Sequence, residues 1–223
     1  MLTDDLRELG APALRELVAQ RFWSGLRDGS LPGAALARFV EQDTGHLLPA
    51  FGRAFTRCAA SAVDAEAYET AKLLSRCGLE TLLSAPRLAG AFAGLVSTMG
   101  VPALATDVEA TPVTVAYRSA IRTAADSSLA AGLGILTPFM VFHLEMCDDL
   151  FARRVPGSRY LPWIEIYEPG EGTRFAVRAF LDIVDGFGAQ ASAQERAEFV
   201  DAFAAGARHE LAFAGAAAPA FPR

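Results

Sequence analysis

Three stretches of this chain carry ionisable side chains at positions whose spacing points them inward. In residues 31–55, LPGAALARFVEQDTGHLLPAFGRAF, the residues Phe39, Asp43, His46 and Ala50 follow at intervals of four, three and four. That is the spacing of one helical face, flanked here by Leu36, Val40, Leu47 and Phe51. Phe139, His143, Met146 and Leu150 repeat the spacing further on, as do Phe199, Phe203, Gly206 and Glu210. A lone inward charge costs several kcal/mol, roughly, so each of these groups needs a partner. Asp43 and His46 satisfy one another, or a turn after Gly45 caps them locally, or all three stretches meet around a ligand. Three helices each turning a polar group inward favour a shared cavity. A buried Glu210 has a raised pKa and exchanges protons near neutrality. An Asp accepts N–H groups from an amino-bearing ring held between aromatic faces. The chemistry expected is proton transfer on a small heteroaromatic ligand.

The elements that position these groups read as helices. Thr3 caps a first helix that runs to Arg27, with a break at Gly10-Ala11-Pro12. Pro32 opens the Asp43 helix as its first residue, and that helix frays near Ala60. Asp64 caps a third helix, 65–77, stopped by Gly78, and Pro86 opens a fourth that ends at Gly100. Thr111-Pro112 opens a fifth, 113–125. A sixth spans about 129–154, bent near Pro138. Short helices follow at 160–167 and 173–187, and Ser192-Ala-Gln-Glu195 is a capping box for the last, ending near Gly215. No run alternates with period two, so the expectation is a single all-α domain, a helical bundle over residues 1–215, with 216–223 as a loose tail.

Composition bounds the function. The chain has 223 residues, 52% hydrophobic, with mean hydropathy +0.26, net charge −6 and pI about 5.1. This predicts no nucleic-acid partner and no anionic membrane surface. Cys58, Cys77 and Cys147 are odd in number and irregularly spaced, which predicts reduced thiols and a cytoplasmic location. The acidic, amphipathic start MLTDDLRELG is no signal peptide. The uncharged residues 127–142 are too short to span a bilayer, which takes ~20 apolar residues, and read as a core helix.

Several motifs together resemble the TenA family, whose fold is that of haem oxygenase. They are Phe22-Trp23-x-Gly25-Leu26, Gly29-Ser30-Leu31-Pro32, Gln42-Asp43, Val115-Ala-Tyr117, Trp163-Ile-Glu-Ile-Tyr167 and Arg208-His-Glu210-Leu-Ala-Phe213, in order along most of the chain. The resemblance implies a hydrolase of thiamin or its aminopyrimidine half that cleaves a C–N bond. Carried over, Asp43 binds the pyrimidine amino group and ring nitrogen, Tyr117 and Tyr167 line the ring, and Glu210 is the general acid and base. The family's better-known branch places a nucleophilic cysteine after a proline, six residues before a glutamate; here Pro138 and Glu145 are in register and Phe139 takes the position. Cys147 lies eight residues on, roughly 12 Å along a helix, and reads as an inert buried thiol. The family also has a cysteine-less branch acting on amino- or formylamino-pyrimidines.

His46 and His143 stand where the family usually has tyrosines, giving a substrate-binding set of Asp43, His46, Tyr117, Phe139, His143 and Tyr167. No cofactor is implied by that reading. An alternative ligand set of Asp43, His46, His143 and Glu210 suits a divalent iron, manganese or zinc. The expectations are therefore an aminopyrimidine hydrolase without a cysteine, a catalytically diverged binding protein, or a metal-dependent oxidase, with a homodimer or homotetramer implied by the resemblance. His209 reads as peripheral, Glu145, Asp148 and Asp149 as a solvated face beside Arg153 and Arg154, and Arg118 with Arg122 as an exposed pair.

Overall fold

The computed structural model describes residues 1–217. Among them there is no strand, and the helices are α1 (Leu2–Ala19), α2 (Arg21–Asp28), α3 (Gly33–Gln42), α4 (Leu48–Asp64), α5 (Tyr68–Met99), α6 (Pro112–Ser127), α7 (Leu129–Ala152), α8 (Leu161–Ile166), α9 (Glu171–Gln190) and α10 (Ala193–Ala217). A five-residue π segment, Asp43–Leu47, joins α3 to α4. The all-α bundle and most of the expected helices are present.

α4 lies along α5, α7 lies along α10, and α6 packs against α4, α7 and α10. α1 covers α10 on the other side. One continuous core fills the interior, with Trp163, Tyr117, Tyr160, Phe51, Phe55 and Phe180 among its fully buried side chains. Two helices, Tyr68–Met99 and Leu129–Ala152, are long and apolar enough to cross a membrane. The second has 67% of its most apolar window buried in the protein's own core, as a core helix would. α5 is the more exposed of the two and carries Leu79, Leu82 and Leu83 on its outer surface.

Several expected boundaries fall elsewhere, each for a physical reason. The first helix breaks at Gln20, whose backbone is extended, and not at Gly10. Gly10 lies within continuous helix, and its smallness admits a close neighbour, since a Cβ there would meet Phe203 at 2.9 Å. Met1, not Thr3, is the N-cap, and the Thr3 N–H and hydroxyl both donate to Asp185 of α9, at 2.9 and 2.8 Å. A carboxylate from another helix thus satisfies a first-turn donor and the positive helix end. Pro32 is likewise the N-cap of α3 and not its first residue.

The third and fourth expected helices are one, α5, running through both Gly78 and Pro86. Gly78 ends nothing. A Cβ there would lie 3.1 Å from the Gly52 carbonyl oxygen, and one on Gly52 would lie 2.5 Å from Leu82, so the two glycines let α4 and α5 approach closely. The capping box is formed as expected: Ser192 N–H donates to Glu195 at 2.8 Å, and Glu195 N–H donates to Ser192 Oγ at 3.2 Å. α10 continues through Ala217, two residues past the expected helix end at Gly215; residues 218–223 lie outside the described residues. The supposed solvated face is structural as well. Asp149 holds the buried Arg27 guanidinium and Arg153 together, and Asp148 pairs with Arg174, tying α7 to α2 and α9.

Gly134 on α7 marks where α7 and α10 touch. A Cβ there would sit 2.3 Å from the Phe199 carbonyl oxygen and 2.9 Å from the Ala202 Cβ. Gly134→Ala is expected to destabilise the fold by about 1–3 kcal/mol through overpacking. Gly90→Ala, in helix interior with open space around it, should instead stabilise by up to ~1 kcal/mol. Urea denaturation of the two variants checks the contrast.

Candidate active site

The π segment decides which side chains face inward. In a regular helix, Pro49 would have no N–H to give the Gly45 carbonyl, and its ring would crowd that oxygen. The chain widens by one residue instead, and Leu48 N–H donates to the Asp43 carbonyl, a bond spanning five residues. Each residue of such a turn advances by less than the roughly 100° of an α-helix. Asp43 therefore lines up with Leu47 and Phe51, and the expected alignment with His46 and Ala50 does not form. His46 leaves the inner face and hydrogen-bonds the Val108 carbonyl through Nε2 at 2.8 Å.

A cavity of about 310 Å³ opens on that inner face. Asp43, Leu47 and Phe51 form one wall, Phe139, His143 and Cys147 of α7 another, Tyr167 just past α8 a third, and Glu210 with Phe213 of α10 closes it. Of the sequence-derived site residues, Asp43, Phe139, His143, Tyr167 and Glu210 are thus brought together. Tyr117 stands behind Glu210, fully buried, and donates its hydroxyl to Glu210 Oε1 at 2.7 Å. His46 is not part of the lining. The alternative metal set therefore does not assemble, and among the described residues no three His, Cys, Asp or Glu side chains are grouped to hold a metal.

The two carboxylates are electrostatically coupled. Burial raises Asp43 to about 7, with the Glu210 charge pushing the same way. Burial also raises Glu210 to about 7, and the Tyr117 hydrogen bond pulls against it. No donor lowers Asp43 in the same manner. Such a pair titrates as a unit, and burial holds both of its members above the ordinary carboxylate range. His143 is exposed to the cavity yet enclosed by protein, and this desolvation lowers its pKa, so the ring is neutral. The Cys147 Sγ lies 3.6 Å from its Nε2, and burial pushes the Cys147 thiol well up, so the contact joins a neutral imidazole to a protonated thiol. Cys147 is an ordinary protonated thiol that orients the imidazole.

The aromatic walls have defined geometry. Phe139 stacks on Phe51 with centroids 4.0 Å apart and planes at 18°. The His143 ring lies 6.3 Å from Phe139 and 6.1 Å from Tyr167. His209, read from the sequence as peripheral, stacks on Tyr117 at 4.9 Å and 10° and fixes the phenol that holds Glu210. Residues not anticipated from sequence also line the cavity: Trp23 of α2 and Thr81, Ser84 and Arg87 of α5. The α5 group was obscured because Gly78 and Pro86 suggested a break there.

The fold matches known structures. Its relatives in fold include a TenA homologue from Pyrococcus furiosus, with TM-score 0.80 and 14% identity over 97% of this chain and 100% of that one. This chain has the TenA fold. A TenA family transcription regulator from Silicibacter sp. TM1040 superposes with TM-score 0.77 and 18% identity over 99% and 97% of the two chains. A Sulfolobus solfataricus P2 protein described as a TenA-like thiaminase does so with TM-score 0.73 and 19% identity over 96% and 94%. No family model matches the sequence, and no curated protein matches it. The shared TenA fold is thus all-α and spans nearly the whole chain.

Stability should report the coupled carboxylates. Their folded pKa values lie above the ordinary carboxylate range, so the folded state binds more protons than the unfolded state between about pH 4 and 7. Stability therefore falls as pH rises through that window and levels off above it. Asp43→Asn is expected to raise the melting temperature at pH 8 and to change it little at pH 4, by ~2–4 °C for each kcal/mol recovered. Thermal melts at the two pH values check this.

Proposed function

We propose that this protein hydrolyses a C–N bond of an aminopyrimidine, with carboxylates for proton transfer and water as the nucleophile. The observation that carries the reading is the convergence of Asp43 and Glu210 on one aromatic-walled cavity. Two carboxylate acceptors between aromatic walls suit a flat ring rich in N–H donors. The TenA-like thiaminase among its structural neighbours supports placing the reaction in thiamin or aminopyrimidine salvage.

In this reading Asp43 accepts hydrogen bonds from the ring amino group and fixes the ring's orientation. Phe51, Phe139, Tyr167 and the neutral His143 shape the slot. Ionised Glu210 takes a proton from water as the water oxygen bonds to the carbon bearing the leaving nitrogen. As that C–N bond breaks, the same proton passes from Glu210 to the departing amine, which restores the carboxylate. Tyr117 holds Glu210 in place through its hydroxyl, and His209 holds Tyr117. Phe139 occupies the place of the nucleophilic cysteine in the TenA resemblance, so no covalent intermediate is invoked.

The flat stack of Phe139 on Phe51 favours a second reading, a binding protein that holds the ring without turnover. The two are separated by assaying amine release.

Calorimetric titration with the aminopyrimidine half of thiamin is the first test. Wild type is expected to bind it, Asp43→Ala to lose binding, and Glu210→Gln to keep binding within a few-fold while losing at least ~100-fold in turnover. Full hydrolysis by Glu210→Gln overturns the mechanism.

The pH profile gives an independent test. The rate should rise with pH through about 7 as Glu210 ionises. Tyr117→Phe removes the bond that favours the ionised form and should move that limb to higher pH.

A further inference from the structure

On the side of α4 away from the cavity, a groove of about 690 Å³ runs between α4 and α6. Arg53 and Arg57 of α4 and Arg118 and Arg122 of α6 line it, with Asp126 as the one acidic residue. Each helix thus places two arginines four residues apart on the same face. Like charges at that spacing destabilise a helix by ~0.2–0.5 kcal/mol per pair. Here two such pairs also face each other across a groove.

The protein has carboxylates to spare, with 26 Asp and Glu against 20 Lys and Arg. Elsewhere among the described residues five arginines pair with carboxylates: Arg7 with Asp4, Arg27 and Arg153 with Asp149, Arg87 with Glu80, and Arg174 with Asp148. In the groove only Arg57 is matched, to Asp126 at 2.9 Å. Among the described residues Arg53, Arg118 and Arg122 meet no carboxylate. Four guanidiniums and one carboxylate leave three net positive charges at the mouth of a concave surface.

Arg118 is also positioned. It is half-buried, and its guanidinium reaches His46 Nδ1 at 3.5 Å. His46 Nε2–H donates to the Val108 carbonyl, so in the neutral ring Nδ1 accepts from Arg118. The π turn that removes His46 from the cavity delivers it to this contact. Between the arginines the groove has an apolar floor of Ala50, Ala54 and Val115, of which only Val115 is exposed.

We propose that this groove is an anion site for an organic diphosphate, separate from the cavity that holds Asp43 and Glu210. Guanidiniums bind phosphate oxygens in paired, planar hydrogen bonds. Three net charges match a diphosphate better than a single phosphate, and the apolar floor accommodates the group it esterifies. Arg53, Arg118 and Arg122 are the phosphate ligands, and His46 is a positioning residue for Arg118.

The test is calorimetric titration of the full chain with inorganic pyrophosphate at low ionic strength. One saturable site per chain is expected, weakened at least about tenfold, or ~1.4 kcal/mol, in Arg53→Gln/Arg122→Gln. Both positions are exposed, so the double variant should fold; a thermal melt confirms it. Arg118→Gln should weaken binding equally, and His46→Ala by less, while titration with the aminopyrimidine is unchanged in Arg53→Gln/Arg122→Gln. No saturable heat at millimolar pyrophosphate, or equal binding by the double variant, overturns the proposal. So does dissociation of a wild-type oligomer by Arg53→Glu/Arg122→Glu without pyrophosphate binding in wild type, which makes the groove an interface between copies.

Discussion

Proline at position 49 constrains how the chain from Gly33 to Asp64 can coil, and both candidate sites depend on the result. Without an N–H at that position the helix cannot keep a regular ladder through Gly45, so it takes one wide turn at Asp43–Leu47. The turn sends Asp43 to the cavity and His46 to the opposite side, where it meets Val108 and Arg118. A regular helix would have gathered both on one face. A single missing donor thus separates an acid cavity from a basic groove on the two sides of the same helix.

Support for the cavity is layered. Glu210 is held by Tyr117, Tyr117 by the stacked His209, and α10 by its close contact with α7 at Gly134. The opposite wall is held by the Gly52–Gly78 approach of α4 to α5. The acidity of the carboxylates follows from this packing. Burial lifts both, their mutual repulsion adds to it, and one phenol hydroxyl distinguishes Glu210 from Asp43. His143 is kept neutral by the same enclosure, so the cavity sets its two carboxylates beside neutral aromatic walls.

Helix glycines and prolines carried most of the ambiguity. Gly10 and Gly78 looked like breaks and are contacts. Pro86 looked like a helix start and lies within α5. Cys147 looked inert, and its high pKa agrees, yet its thiol orients the imidazole of His143. His209, Arg118 and Asp149 looked peripheral, and each is engaged by a residue distant in sequence.

The amino-acid sequence by itself determined the all-α class, the starts of α6 and α10, and the inward placement of Asp43, His143 and Glu210. These rest on local rules: apolar spacing, a Thr-Pro pair and a Ser192–Glu195 box act within a few residues of chain. The tertiary structure alone decided that His46 leaves the cavity, that Gly78 joins two helices, and that four arginines from α4 and α6 share one groove. Whether a glycine ends a helix or admits a neighbour depends on what packs against it, and the face a residue presents depends on every turn before it. Spacing assumes a uniform helix, and one π turn is enough to exchange Leu47 for His46.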